Sequence, residues 1–278
     1  MSETKEKNVH KSIKPYLYLI LAIAIAATAL IIYVLLYGNM SNQNLYLQLS
    51  NNKSVSFNFL QNLIASKINS KNEFSIAYSG YFAIPLNQSQ SQMRITSFPM
   101  SILLQKYYNS SRITFNITNF LNLGNVSIIT IISPNVRYYC AKYENVLANY
   151  TCAANFTAMN VSSVLPAAFV GLALGNFSTL MRTPNGIVVK HPILYALHII
   201  NVSKREYFNT SCVFIEGYLY NNNSLSSTCL SSDNYIPLNS SIFAGNQAII
   251  SFFETSNLPY APKNISELPP NSKIIGGG

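Results

Sequence analysis

The chain has 278 residues, enough for one large domain or two small ones with an ample core. Hydrophobic residues make up 49% and charged residues only 10%, against roughly 25% charged in ordinary soluble domains, and polarity is carried instead by 34 Asn, 34 Ser and 19 Tyr. The net charge of +9 gathers partly in Lys5, Lys7, Lys11 and Lys14; the other basic residues are scattered singly, with no stripe to follow a phosphate backbone, which argues against nucleic-acid binding.

Residues 1–15 read as a basic cytoplasmic tail. Residues 16–37, YLYLILAIAIAATALIIYVLLY, hold no charge. At ~1.5 Å per residue this run reaches ~33 Å, enough to cross a hydrocarbon core of roughly 30 Å, so it predicts a transmembrane helix. Tyr16 and Tyr18 mark one interface, Tyr33 and Tyr37 the other, and Pro15 stands where a helix starts without losing a needed donor. The lysines before the span predict a single-pass cell-membrane protein with its N-terminus in the cytoplasm and its C-terminal domain extracellular. A cleaved signal peptide fits less well, because the apolar run is long and no small-x-small site follows it. The segment therefore reads as a signal-anchor.

Residues 38–54 read as a polar spacer, 55–270 as an external β-rich domain and 271–278 as a flexible tail. Within the domain, VSFNFLQNLIASKI from Val55 repeats apolar residues at Phe57, Leu60, Leu63, Ile64 and Ile68, a helical spacing. From Glu73 the period changes. FSIAYSGYFAIPL, VSIITIIS, VRYYCAKY and YTCAANFTAM are β-rich runs bounded by Asn, Ser and Pro. VLPAAFVGLALGNFSTLM, Val164 to Met181, then predicts a second helix, too short in its apolar part to span a bilayer. GIVVKH, HIINVSKREYF, CVFIEGYLY, SSTCL, YIPL and QAIISFFETS make a second β-rich half. The tail from Pro259 is Pro-rich and ends in three glycines. The predicted fold is a mainly antiparallel α+β external domain behind an N-terminal transmembrane helix.

Cys140, Cys152, Cys212 and Cys229 all follow the apolar span. Four cysteines allow three connectivities; Cys140–Cys152 and Cys212–Cys229 are favoured, because each pair brackets two strand-like runs that can form one hairpin. Their spacings do not suit zinc, and no metal or cofactor is expected. Asn-x-Ser/Thr acceptors for N-glycosylation occur at Asn39, Asn52, Asn87, Asn109, Asn116, Asn125, Asn149, Asn155, Asn160, Asn176, Asn201, Asn209, Asn222, Asn239 and Asn264, fifteen in all, where composition alone gives about six. The excess predicts an extracellular glycoprotein of archaeal type.

Catalytic signals are sparse. Asp233, the only aspartate, sits in a turn-like Ser-Ser-Asp-Asn. His191 and His198 stand seven apart with no Cys or Asp near, and the glutamates after the span show no close pair of the kind glycosidases use. No G-x-S-x-G, H-E-x-x-H or phosphate-cradling loop occurs. The sequence indicates no enzyme. The scarcity of carboxylates also suits an acidic exterior, since few ion pairs are there to fail as carboxylates protonate.

Ser203 to Leu238, SKREYFNTSCVFIEGYLYNNNSLSSTCLSSDNYIPL, resembles the later strands of LolA/LppX-like proteins, the envelope lipoprotein and lipid carriers. Asp233 to Leu238 fills the place of the group's "DG.PL"-type turn, and Ile265 to Pro270, ISELPP, looks like its closing Pro-containing segment. VRYYCAKYENVLANYTC resembles a cysteine-bearing hairpin of envelope relatives. The resemblance implies an open antiparallel half-barrel around helices, with an apolar cleft that Val164 to Met181 occupies or covers. It implies lipid or other apolar ligand binding, with Phe169, Val170, Leu172, Leu174, Leu180, Phe252 and Phe253 as cleft residues. The chain departs from the group in lacking a lipobox cysteine and in its predicted tether. A structural or accessory subunit of the envelope, bound to another envelope protein, is the rival expectation.

Overall fold

The computed structural model describes residues 45–89, 92–155, 161–174, 196–219, 224–244 and 247–275. The chain divides into two compact units, Met1–Gln48 and Leu49–Gly278. Of the first, residues 45–48 are described, and they are helical. The second unit holds β1 (Ser54–Ser56), α1 (Phe57–Ile68), β2 (Glu73–Ser89), β3 (Gln92–Tyr107), β4 (Ser110–Ile117), β5 (Val126–Ile132), β6 (Arg137–Tyr143), β7 (Thr151–Asn155), α2 (Val161–Ala173), β8 (Ala196–Tyr207), β9 (Thr210–Leu219), β10 (Leu225–Ser231), β11 (Pro237–Ala244), β12 (Gln247–Leu258) and β13 (Lys273–Ile275).

All thirteen strands join one open sheet in the order β1-β8-β9-β10-β11-β12-β2-β3-β4-β5-β6-β7-β13. Two antiparallel meanders, β2 to β7 and β8 to β12, meet where β12 pairs with β2. At this seam the chain's second half lies beside the start of its first. Gly80 allows the close approach, since a Cβ there would lie 2.0 Å from the Ser251 carbonyl oxygen. Both edge strands have three residues, and β1 pairs only with Ala196–His198 of the twelve-residue β8.

Alternation sorts each strand into two faces. On the inner face Phe74, Ile76 and Tyr78 of β2 align with Ile102 and Leu104 of β3, Ile113 and Phe115 of β4, and Phe252 of β12, all buried. Both helices belong to this layer. Ser56 caps α1, its Oγ accepting from the Phe59 N–H at 3.2 Å, and Phe57, Leu60, Ile64 and Ile68 form the buried stripe. Lys106 closes the other end of α1, its Nζ donating to the carbonyls of Ile68, Asn69 and Lys71. A cation at a helix C-terminus both fills orphan acceptors and meets the negative end of the dipole. Lys67 adds a cation–π contact, 5.0 Å from the centre of the Tyr235 ring.

The outer face carries both disulfides. Cys140 and Cys152 are direct cross-strand partners on β6 and β7, with Cα atoms 4.0 Å apart. Cys212 and Cys229 are diagonal neighbours on β9 and β10, 5.6 Å apart. Ile129, Ile131, Tyr138, Tyr150 and Leu268 pack around the first pair. Leu268 belongs to the segment after β12, which therefore crosses the outer face before β13 joins β7 in parallel. Lys273–Ile275, expected in a flexible tail, is thus a strand.

The expected fold class needs correction. Among the described residues no helix is long and apolar enough to cross a membrane; α1 and α2 have 12 and 13 residues. The run 16–37 lies outside the described residues. The described part of the chain is mainly β rather than α+β, because strands occupy far more of it than the apolar runs suggested. β2 continues to Ser89, and β3 and β4, which were not anticipated, add 16 and 8 residues. β3 escapes a simple pattern because it is long and contains Pro99, whereas β4 alternates cleanly along its length.

Candidate functional site

α2 lies against the inner face near the seam. Leu165, Ala168, Phe169, Val170, Leu172, Ala173 and Leu174 are each no more than 2% exposed, so the helix is apolar on nearly every side. Phe169 meets Phe74 with ring centres 6.2 Å apart, and Ser240 Oγ donates to the Ala173 carbonyl at 3.1 Å. Pro166 lacks an N–H, which leaves the Ser162 carbonyl without its intrahelical donor; Asn69 Nδ2 of the α1 C-cap donates to it at 3.0 Å. Gln61 Nε2 donates likewise to the Ser163 carbonyl.

Of the anticipated cleft residues, Phe169, Val170, Leu172 and Leu174 are interior to this contact between helix and sheet. Phe252 is buried edge-on to Tyr78, with ring centres 5.5 Å apart. Phe253 points to the opposite face and is 42% exposed, as alternation on β12 requires. Leu180 lies outside the described residues, as does His191. His198 is exposed on β8. Asp233 is exposed in the Ser232–Asn234 turn; its N–H donates to Ser231 Oγ, and the Ile236 N–H donates to Asn234 Oδ1.

A cavity of about 530 Å³ opens at one end of the seam. Phe74 and Tyr108 form an aromatic wall, Leu258 and Pro259 an apolar one, and Lys71, Asn72, Glu73 and Asn257 a polar side. Behind the polar side, β2 and β12 place Tyr78 opposite Glu254 on the inner face. Burial raises the Glu254 carboxyl above its ordinary value, opposed by a hydrogen bond from Asn257 and by the Lys71 charge. Tyr78, fully enclosed, is pushed well above the ordinary phenol value by burial and then by Glu254. Tyr78 Oη and Glu254 Oε2 are both buried without a hydrogen-bond partner among the described residues. The cavity therefore has a mixed lining, half apolar and half polar, which suits an amphiphilic ligand.

A second cavity, about 330 Å³, lies on the outer face between Asn116, Ser127, Lys142, Glu144 and Tyr150. Its floor is tied together: Ser127 Oγ donates to Asn116 Oδ1 at 2.7 Å, and Tyr150 Oη donates to Ser127 Oγ at 2.9 Å. Among the described residues no group of three His, Cys, Asp or Glu is placed to hold a metal.

The sequon asparagines Asn52, Asn109, Asn125, Asn149, Asn155, Asn201, Asn209 and Asn264 are exposed, while Asn116 and Asn239 are half-buried. Asn109 and Asn209 occupy equivalent tips, of the β3–β4 and β8–β9 hairpins, beside the edge-to-face pairs Tyr107–Tyr108 and Tyr207–Phe208. Asn39, Asn160, Asn176 and Asn222 lie outside the described residues, as does the side chain of Asn87. Sequence reasoning missed the Tyr78–Glu254 pair and the part of Lys71 and Asn257. The one local sign was Glu254 in phase with Phe252 and Ile250 in QAIISFFETS.

The class defined so far is a mainly-β domain with one large antiparallel sheet, helices on one face and a cavity at the sheet seam. No protein family matches the sequence, and no curated protein matches it. Among solved structures, MucB in complex with MucA(peri) is 10% identical, with a TM-score of 0.39 over 76% of this chain and 59% of that one. PNGF-II is 8% identical, with a TM-score of 0.34 over 74% of this chain and 31% of that one. A DUF1329 family protein from Desulfovibrio piger is 6% identical, with a TM-score of 0.28 over 74% of this chain and 95% of that one. This chain thus spans three-fifths of the MucB chain and under a third of PNGF-II. At TM-scores below 0.5 these likenesses assign the chain to no family.

Proposed function

We propose that the Leu49–Gly278 unit is an extracytoplasmic, non-enzymatic binding domain that takes a lipid or similar amphiphile in the cavity at the β12–β2 seam. The observation that carries this reading is the cavity itself, with Phe74, Tyr108, Leu258 and Pro259 on its apolar side and Lys71, Asn72, Glu73 and Asn257 on its polar side. Its volume lies within the range of ordinary small-molecule sites. The two disulfides support a location outside the reducing cytosol, and the exposed sequon asparagines support glycosylation there. Native mass spectrometry of the protein taken gently from its own cells tests the binding. A lipid-sized adduct is expected on the wild type and absent from Leu258→Trp, which fills the cavity; a wild-type domain that carries no adduct and takes none from added lipid refutes the reading.

An accessory subunit of an envelope complex is the second reading. It is supported by Ile200, Phe208 and Tyr218, large apolar side chains exposed on β8, β9 and their connecting turn. A partner protein in fixed stoichiometry, lost on Tyr218→Asp, is its expected signature in the same experiment.

A further inference from the structure

The inner face carries a second polar feature, a row that runs from β3 beside the seam cavity out to β6. Register sets Lys106 of β3 opposite Ser111 of β4, Ser111 opposite Ile132 of β5, and Ile132 opposite Arg137 of β6. Lys106, Ser111 and Arg137 therefore share one row across the inner face, and they are only 8%, 0% and 7% exposed. Lys106 is committed to the end of α1, where three carbonyls accept from its Nζ. Arg137 is not committed in this way. Its Nη1 donates to Tyr139 Oη, and its guanidinium carbon lies 5.5 Å from the centre of that ring. Among the described residues Nε and Nη2 have no acceptor, and Ser111 Oγ has no hydrogen-bond partner.

The identity of the two unfilled donors matters. Nε–H and the adjacent Nη2–H point the same way from one edge of the planar guanidinium, the fork that takes two oxygens of a carboxylate or phosphate at once. An arginine buried only to hold Tyr139 would need Nη1 alone. A buried cation with neither a carboxylate nor a filled fork is strongly unfavourable, and a bound oxyanion satisfies both requirements. We propose that the Nε–Nη2 edge of Arg137 is a binding site for a single oxyanion group, carboxylate or phosphate, with the Ser111 hydroxyl on the same row as a further donor. Arg137 opens β6 two residues after the exposed Asn135, and Val136, Tyr138 and Tyr139 beside it are half-buried. β6 lies four strands from β2, or ~19 Å at the usual strand spacing. Arg137 is not among the residues lining the seam cavity, although Lys106 of the same row pairs with Phe74 in the cavity wall, and the proposal does not rest on what that cavity takes.

The oxyanion is either free or the acidic head of an amphiphile, and titration calorimetry on the full chain separates the two. The probes are inorganic phosphate, laurate and, as the neutral control, lauryl alcohol. At least one of the two anionic probes is expected to bind the wild type, about tenfold or more weakly to Arg137→Met, and with an intermediate loss to Arg137→Lys, which keeps the charge without the fork. Phosphate as tight as laurate means a free anion; laurate much tighter means an acidic amphiphile head. Either result supports the site. Phosphate and laurate affinities that are the same in wild type and Arg137→Met overturn it, whatever lauryl alcohol does. If Arg137→Met does not fold, undiminished anion binding by Arg137→Lys overturns it instead. Lauryl alcohol bound equally by all three proteins leaves the amphiphile cavity standing on its own.

Discussion

Asn69 Nδ2 donates to the Ser162 carbonyl at 3.0 Å, and Ser162 is the residue four before Pro166. A residue just past the end of α1 thus satisfies the acceptor that a proline removes from the ladder of α2. The bond helps fix how α2 lies along α1, and with it the position of the apolar side chains that α2 sets against the sheet.

Asn69→Ala is expected to destabilise the domain by about 1 kcal/mol, an ordinary net value for one hydrogen bond. In a Pro166→Ala background the backbone N–H returns and the cost of Asn69→Ala falls towards zero. Urea denaturation of the four proteins measures this coupling. Strict additivity would mean that Asn69 does not compensate for the proline.

Gly80→Ala is expected to cost about 3 kcal/mol, at the upper end of overpacking, because the new Cβ meets the Ser251 carbonyl across the β12–β2 seam. Ser79→Ala, one residue away on the other face, is expected to change stability by less than about 0.5 kcal/mol. Equal denaturation midpoints for the two variants would show that β2 and β12 are not held this closely.

Replacing Cys140 and Cys152 together by alanine is expected to remove about 3 kcal/mol, the chain-entropy value for a loop closed over a separation of 12 residues. Because Leu268 packs on this pair, the loss should extend to the last residues of the chain. Hydrogen exchange is expected to speed up in β7 and β13 while β9 and β10 keep their protection. Uniform loss across both meanders would contradict a local anchoring role.

Glu254 gives the domain an unusual pH response. Its folded carboxyl is raised by burial, so the folded state holds this proton to higher pH than the unfolded state does. The group therefore costs nothing below its unfolded value, and its penalty grows as pH rises from there through the folded value. Glu254→Gln is expected to match the wild type in stability near pH 4 and to exceed it at pH 7. With only nine carboxylates in the chain, the wild type is also expected to keep its circular dichroism from pH 7 to pH 2. Cooperative unfolding near pH 4 would overturn that expectation.

Much of the local structure was legible. The spacing of Phe57, Leu60, Ile64 and Ile68 marked α1, and the run from Val164 marked α2, because both depend on contacts three and four residues apart. VSIITIIS and VRYYCAKY marked β5 and β6. β3 and β4 were passed over, although the tips they share with β8 and β9 read almost alike, Tyr-Tyr-Asn-Ser-Ser and Tyr-Phe-Asn-Thr-Ser. The candidate site was largely illegible. Phe74, Lys71 and Asn257 meet there from segments far apart in the chain, and no local pattern places Glu254 against Tyr78.

By itself the sequence determined which residues turn, which alternate and which repeat with helical spacing, since these preferences arise from backbone sterics and near-neighbour burial. Composition likewise determined how few charges the chain has for pairing inside or out. Only the tertiary structure decided that β12 closes against β2, that Phe252 is interior while Phe253 is exposed, and that Arg137 is buried with one edge of its guanidinium unfilled. A period of two tells that a strand has an apolar face, but not which strand lies beside it. That choice is made between segments some 170 residues apart, by the fit of one pleated surface to another.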